Sequence, residues 1–132
     1  MARLVTLHDT DGEIIYPQTI SDMDYSTSEQ DTGCKWIDGK PIYKKTINIG
    51  ALPNNTGKSV NHGIENLERI IKHEGWALQT SDGAELPLPY ADTAAGGSVV
   101  IYAASTYIRI SAASNRSGFA GYITLWYTKT TD

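Results

Sequence analysis

Cysteine is almost missing from this sequence. Cys34 stands alone in 132 residues, so the chain can form neither an internal disulfide nor a cysteine metal cluster. No apolar run approaches the roughly 18 residues of a membrane helix, and no apolar signal segment follows Met1. We therefore expect a protein made in a cytoplasm, with no membrane insertion. The 11 basic residues are scattered among 15 acidic ones, which argues against nucleic acid as a partner.

Catalytic signatures are also missing. His8, His62 and His73 lie in separate segments, with neither HxH nor HExxH spacing. No serine lies in a GxSxG motif, and Gly57-Lys58-Ser59 is only the end of a phosphate-binding loop pattern. Most aspartates fall in turns, where backbone chemistry already favours them. The sequence therefore predicts no enzyme, no cofactor and no metal site.

The last third of the chain carries the strongest strand pattern. Residues 98–103, 106–111 and 119–128 form three runs rich in β-branched and aromatic side chains, separated by turn-like segments. Consecutive runs of this kind predict an antiparallel meander. Neither face of the final run is polar enough to lie simply in water, so we expect one to meet a second sheet and the other to meet something else. One face carries Phe119, Gly121, Ile123, Leu125 and Tyr127, and the other carries Ala120, Tyr122, Thr124, Trp126 and Thr128.

Two hairpins are predicted earlier in the chain. The first joins residues 4–7 to 13–16 through Asp11-Gly12, and the second joins 35–37 to 41–49 through Asp38-Gly39-Lys40. Between them, the acidic stretch 21–32 has the composition of a linker or loop. A calcium-binding loop is disfavoured in this stretch because the glycine and the closing glutamate of an EF-hand loop are missing.

The middle of the chain is ambiguous. Ile64, Leu67, Ile70 and Ile71 recur at helical spacing, so we predict one helical turn near 64–68 followed by a strand over 69–80. The alternating prolines of residues 85–90 confine that extended run to a sheet edge or a surface loop.

These elements predict an all-β fold, an antiparallel β-sandwich or jelly-roll-like domain with a short N-terminal extended arm. We assign residues 1–32 to the arm and linker, as a possible attachment or inter-subunit segment, and residues 33–132 to the β-sandwich domain.

Aromatic usage is uneven, with eight Tyr and three Trp against one Phe. Tyr and Trp join an apolar ring to a polar edge, so they suit surfaces that are half-buried or buried on association. A small β-protein also places Tyr on exposed sheet faces without any special role. The candidate residues for a subunit interface or a glycan contact are Trp36, Tyr43, Trp76, Tyr90, Tyr102, Tyr107, Tyr122 and Trp126.

Most of the chain from Tyr25 onward resembles known proteins. Residues 25–47, 50–56 and 60–64, with the ending 113–132, resemble a module of bacteriophage and prophage tail-fibre, baseplate and head-fibre proteins, and residues 6–17 are similar to N-terminal segments of such fibre proteins. The most specific strings are WIDGKPIYKKT (residues 36–46) and GALPNNT (residues 50–56). The resemblance implies a non-enzymatic virion domain that is commonly homotrimeric and contacts a host surface. It supplies no catalytic residue, and this chain is short, without a coiled-coil shaft.

Two functional hypotheses follow. The first is a homotrimeric phage structural protein whose N-terminal arm attaches to other virion proteins. The second is a monomeric carbohydrate-binding module in which Trp and Tyr rings stack on sugars, including host cell-surface glycans.

Overall fold

A computed structural model describes residues 7–8, 14–15, 24–92 and 97–131. This part of the chain is built from strands without a helix, and so it holds no helix that could span a membrane. The strands are β1 (Leu7–His8), β2 (Ile14–Ile15), β3 (Gln30–Lys35), β4 (Pro41–Ala51), β5 (Gly57–Asn61), β6 (Leu67–Gln79), β7 (Glu85–Leu88), β8 (Val99–Ala103), β9 (Tyr107–Ala112) and β10 (Phe119–Lys129).

Two antiparallel sheets pack face to face and confirm the predicted β-sandwich. The larger sheet has the order β3-β4-β10-β6-β7 and the smaller has the order β5-β9-β8, while β1 and β2 form a separate ladder. Along the strands, buried residues that point between the sheets alternate with residues that point outward. The inward-pointing side chains of both sheets fill one core. That core includes Ile47, Ile49, Ala77, Leu88, Val99, Ile101, Ile108, Ile110, Ile123, Leu125 and Tyr127.

The predicted meander at the C-terminus is wrong. β8 and β9 do pair, but β10 leaves them and lies between β4 and β6 in the other sheet. The cause is that both faces of β10 carry apolar side chains. A central position, between β4 and β6, shields these side chains from solvent better than the edge of the smaller sheet would. Residues 113–118 make the crossing, held where the Asn55 and Arg116 amides donate to the carbonyl oxygens of Ser114 and Pro53.

The predicted helical turn near 64–68 is also wrong, although the strand after it is confirmed. Gly63 and Asn66 have positive φ angles of 67° and 57°, which turn the chain sharply, and β6 begins directly at Leu67. Irregularities in the pairing of β6 with β10 explain the misleading helical spacing. Ile70 faces Tyr127 while Lys72 faces the preceding Trp126, so Ile71 is an extra, bulged residue and the period of two is broken.

The other local predictions fare better. The turn at Asp38-Gly39-Lys40 joins β3 to β4, with Gly39 at a φ of 86°, and β7 with its proline lies at a sheet edge. The β1–β2 ladder pairs Leu7 with Ile15, as the first predicted hairpin requires, while its turn lies outside the described residues. One correction is that β3 begins at Gln30, inside the stretch predicted as linker.

Residues 24–29, which we call the strap, join the sandwich ahead of β3. The Thr46 amide donates to the Ser26 carbonyl at 2.9 Å. At the other end of the strap, the Tyr127 hydroxyl donates to Glu29 at 2.6 Å, and Lys129 lies 2.8 Å from the same carboxylate. Tyr127 is fully buried; burial raises its pKa, and the hydrogen bond to Glu29 raises it further. The strap is therefore tied to the sheet at both ends.

We expect Gly121→Ala to destabilise the fold by about 2 to 4 kcal/mol. A Cβ at this position would lie 2.0 Å from the Trp76 carbonyl oxygen and 2.8 Å from the Ala77 Cα, so backbone would have to move. Gly118→Ala is the matched control, because its Cβ would meet only the Gln79 side chain at 3.5 Å or more. Urea unfolding measures both variants, and equal midpoints would contradict the packing described here.

Raising the pH above about 10 should reveal how much Tyr127 contributes to the stability of the fold. The folded state keeps the phenolic proton to a higher pH than the unfolded state, whose pKa is near 10. Stability from this group is therefore intact below about pH 10 and falls above it, by up to about 1.4 kcal/mol per pH unit. Tyr127→Phe should make the decline above pH 10 shallower in urea unfolding, while its stability difference from the parent stays constant below about pH 9. Parallel curves across the whole range would contradict this assignment.

Candidate functional site

The outer face of the larger sheet, which points away from the smaller sheet, carries three cross-strand rows of side chains. Each row takes one residue from β4, one from β10 and one from β6, because the pairing registers of the three strands coincide. Side chains directly opposite on one face of an antiparallel pair lie in contact. The rows are Asn48, Tyr122 and Trp76; then Thr46, Thr124 and Glu74; then Lys44, Trp126 and Lys72.

The middle row forms a depression. Thr46 and Thr124 are both buried, and their hydroxyl oxygens lie 2.8 Å apart in a hydrogen bond. Both side chains are short, while the neighbouring rows carry the rings of Tyr122, Trp76 and Trp126. A hydroxyl pair uses one of its two hydrogens internally, so the second is available to another acceptor. The depression therefore has a floor that can still form a hydrogen bond.

The strap closes one side of this depression. Tyr25 lies over the ammonium of the buried Lys44, with 4.5 Å from Nζ to the ring centroid. The Tyr25 hydroxyl reaches across the floor and donates to Glu74 Oε1 at 3.5 Å. The space enclosed is about 420 Å³, within the usual range for small-ligand sites. We call it the aromatic cleft; it is lined by Tyr25, Ser26, Thr27, Thr46, Glu74, Gly75, Trp76, Tyr122 and Thr124.

Three rings of the cleft are open to solvent. Trp76 is 47% exposed, Tyr122 is 38% exposed and Tyr25 is 61% exposed. The Trp76 and Tyr122 rings have centroids 6.2 Å apart and are tilted by 45°, so they form an angled wall. Exposed aromatic rings beside hydroxyl and carboxylate groups supply ring stacking and hydrogen bonds at the same site. The geometry suits a flat ligand with an apolar face and polar edges.

His62, which lies outside the cleft, has structural partners. His62 is buried; its Nδ1 accepts from the Ile64 amide at 3.1 Å, so Nε2 carries the proton that reaches the Ala104 carbonyl at 2.9 Å. His62 therefore stabilises the turn that follows β5. Within the described residues, no group of three or more His, Cys, Asp or Glu side chains is arranged to hold a metal ion.

The structure distributes the eight candidate aromatics over several places. Trp76 and Tyr122 meet in the aromatic cleft. Trp126 lies four residues after Tyr122 on the same face of β10, with the Lys72 ammonium 4.4 Å from its ring. On the outer face of the smaller sheet, Tyr102 and Tyr107 form an edge-on pair with centroids 6.5 Å apart.

The remaining three are packed within the sandwich or its turns. Tyr43 is half-buried and stacks on Tyr127 with centroids 6.1 Å apart. Tyr90 is half-buried beneath the Arg116 guanidinium. Trp36 is half-buried in the β3–β4 turn, where its backbone bonds to Lys40 and Gly39. These three residues do not line the cleft.

Sequence reasoning missed four residues that line the cleft: Tyr25, Thr46, Glu74 and Thr124. The threonines and Glu74 look like ordinary strand residues, and only the register between β4, β10 and β6 brings them together. Tyr25 lies in a stretch with the composition of a linker. One signal was present, since Tyr25 is the single aromatic residue of 21–32.

Comparison of the chain with protein-family models, with curated proteins and with solved structures finds no match of any of the three kinds. The resemblance to phage fibre modules therefore stays a prediction, and the geometry of the cleft is the structural basis for a function.

Proposed function

We propose that this chain is a non-enzymatic domain of a bacteriophage particle that binds saccharides of the host-cell surface in the aromatic cleft. The observation that carries the proposal is the angled pair of exposed rings, Trp76 and Tyr122, set above a hydroxyl floor. The apolar faces of a pyranose stack on such rings, and its hydroxyls reach polar groups at the ring edges. The phage origin follows from the sequence likeness of residues 36–46 and 50–56.

Several features of the cleft support binding rather than packing. Exposure of the Trp76 and Tyr122 rings to water is unfavourable in the free protein. On a small domain, exposed apolar patches of this kind mark contact sites. The rings lie on the rigid centre of the sheet, on β6 and β10, so little side-chain entropy is lost when a ligand arrives. The strap adds a third ring from a separate segment. The cleft therefore offers a ligand a preformed arrangement of aromatic rings on which to stack.

Trp76→Ala should weaken saccharide binding about tenfold or more, since buried interface tryptophans commonly contribute above 1.4 kcal/mol. Tyr122→Ala should weaken it in the same direction. Tyr102→Ala is the matched control, because Tyr102 is equally exposed at 47% but lies on the other sheet. A glycan array identifies a ligand for the parent protein, and calorimetric titration then compares the variants after circular dichroism has verified folding. A blank array with the folded parent would remove the saccharide proposal, and unchanged affinity of Trp76→Ala would remove this site.

Association of copies is the second part of the proposal. A homotrimer matches the implied phage appendage, and the smaller sheet offers a surface for it. Val100 and Tyr102 are exposed at 54% and 47% on strand β8. Among the described residues, only Tyr90 pairs with β8 on the side away from β9. An open strand edge with apolar side chains favours contact with another chain. In this arrangement the N-terminal arm is left to attach the trimer to other virion proteins.

Light scattering at micromolar concentration should give three times the 14.4 kDa mass of one chain. Val100→Asp should shift the mass toward the monomer, because three carboxylates would be buried close together. Ile37→Asp, a change at a residue that is 89% exposed in the β3–β4 turn, should leave the mass unchanged. A stable monomer of the parent chain would overturn the trimer and leave the aromatic cleft untouched.

A further inference from the structure

We infer that the aromatic cleft selects saccharides that carry a free amino group over their neutral and acidic counterparts. The inference rests on the proposed saccharide-binding function and adds the charge of the ligand to it. Its physical basis is the combination of two exposed, electron-rich rings, Trp76 and Tyr122, with one carboxylate.

The rings provide the first attraction. The face of an aromatic ring is negative, and tryptophan attracts cations most strongly among the side chains. Trp76 and Tyr122 line the cleft and are exposed, whereas the Tyr25 ring already lies 4.5 Å from the Lys44 ammonium. An ammonium group within about 6 Å of a ring centroid gains from this field. A neutral hydroxyl in the same place gains much less.

Glu74 provides the second attraction. Among the described residues that line the cleft, it is the only side chain with a formal charge at neutral pH. Its Oε1 accepts from Tyr25 at 3.5 Å, and its other oxygen lies 3.5 Å from the exposed Lys72 ammonium. A carboxylate has about four acceptor positions, so it retains capacity for an ammonium hydrogen. Lys72 lies outside the lining and competes only from the solvent side.

The spacing of these groups matches one sugar ring. Glu74 and Trp76 are two residues apart on β6 and point to the same face, about 7 Å apart along the strand. A pyranose stacked on Trp76 therefore projects a ring substituent toward Glu74. If that substituent is an ammonium, it meets the Glu74 carboxylate while the sugar ring stays stacked on Trp76.

Charge also disfavours the acidic alternative. The one charge that lines the cleft is the negative charge of Glu74, while the Lys44 and Lys72 ammonium groups lie outside the lining, at Tyr25 and at the far oxygen of Glu74. A uronic acid or a sialic acid would bring a carboxylate beside Glu74, where the two negative charges repel. N-acetylation removes the ammonium and replaces it with a bulkier neutral amide. A free amine is the form that the cleft favours.

The test compares two oligosaccharides of equal length that differ only in this group. Chitosan tetrasaccharide carries free amines, and chitin tetrasaccharide carries the same nitrogens acetylated. Calorimetric titration of the full chain at low salt should show chitosan binding about tenfold more tightly, and this ratio should fall as salt is added. An equal or reversed ratio would overturn the inference.

Two variants separate this inference from the proposed function. Glu74→Gln should lose the preference for chitosan while keeping the affinity for chitin, since the amide still forms hydrogen bonds. Glu65→Gln removes one negative charge from an exposed turn outside the cleft, so it controls for net charge and should keep the preference. A preference that survives Glu74→Gln would overturn the inference while saccharide binding stands. Failure of the parent to bind either sugar, or any glycan on an array, would remove both proposals.

Discussion

The burial of β10, complete on its inner face and partial on its outer face, is the constraint on which the rest of the structure depends. Ile123, Leu125 and Tyr127 are fully buried against the smaller sheet, and Thr124 and Thr128 are nearly buried on the opposite face. A strand with these two faces is stable only at the centre of a sheet that is covered on both sides. The two other longest strands, β4 and β6, flank it and supply its hydrogen bonds. The sandwich is therefore assembled around its C-terminal strand.

The same constraint creates the cleft. With β10 at the centre, its outward residues are placed opposite those of β4 and β6, and the short threonines fall between the rows of larger side chains. The strap covers part of this outer face and is held by Glu29 at one end and by Tyr25 at the other. Tyr25 crosses to Glu74 without filling the space beneath it. The site is thus a gap between two coverings of one sheet.

Local chemistry explains which sequence predictions succeeded. Asp38-Gly39 forms a turn from local chemistry alone, because glycine adopts a positive φ without strain. The proline of β7 disfavours a central position in the sheet. Period-two alternation also divided the residues of β10 correctly between its two faces. The errors came from pairing. Neighbouring strands in sequence were expected to be neighbours in the sheet, and the bulge at Ile71 imitated a helical period.

The sequence by itself determined that the chain is an all-β sandwich, since alternation and turn residues are local patterns and the surplus of Tyr and Trp is a matter of composition. Only the tertiary structure decided which of those rings are exposed together. Trp76 and Tyr122 are 46 residues apart in the numbering, and Glu74 meets Tyr25 across 49. Alternation gives each strand its two faces but carries no information about its partner or register. Those are set by the packing of the whole core.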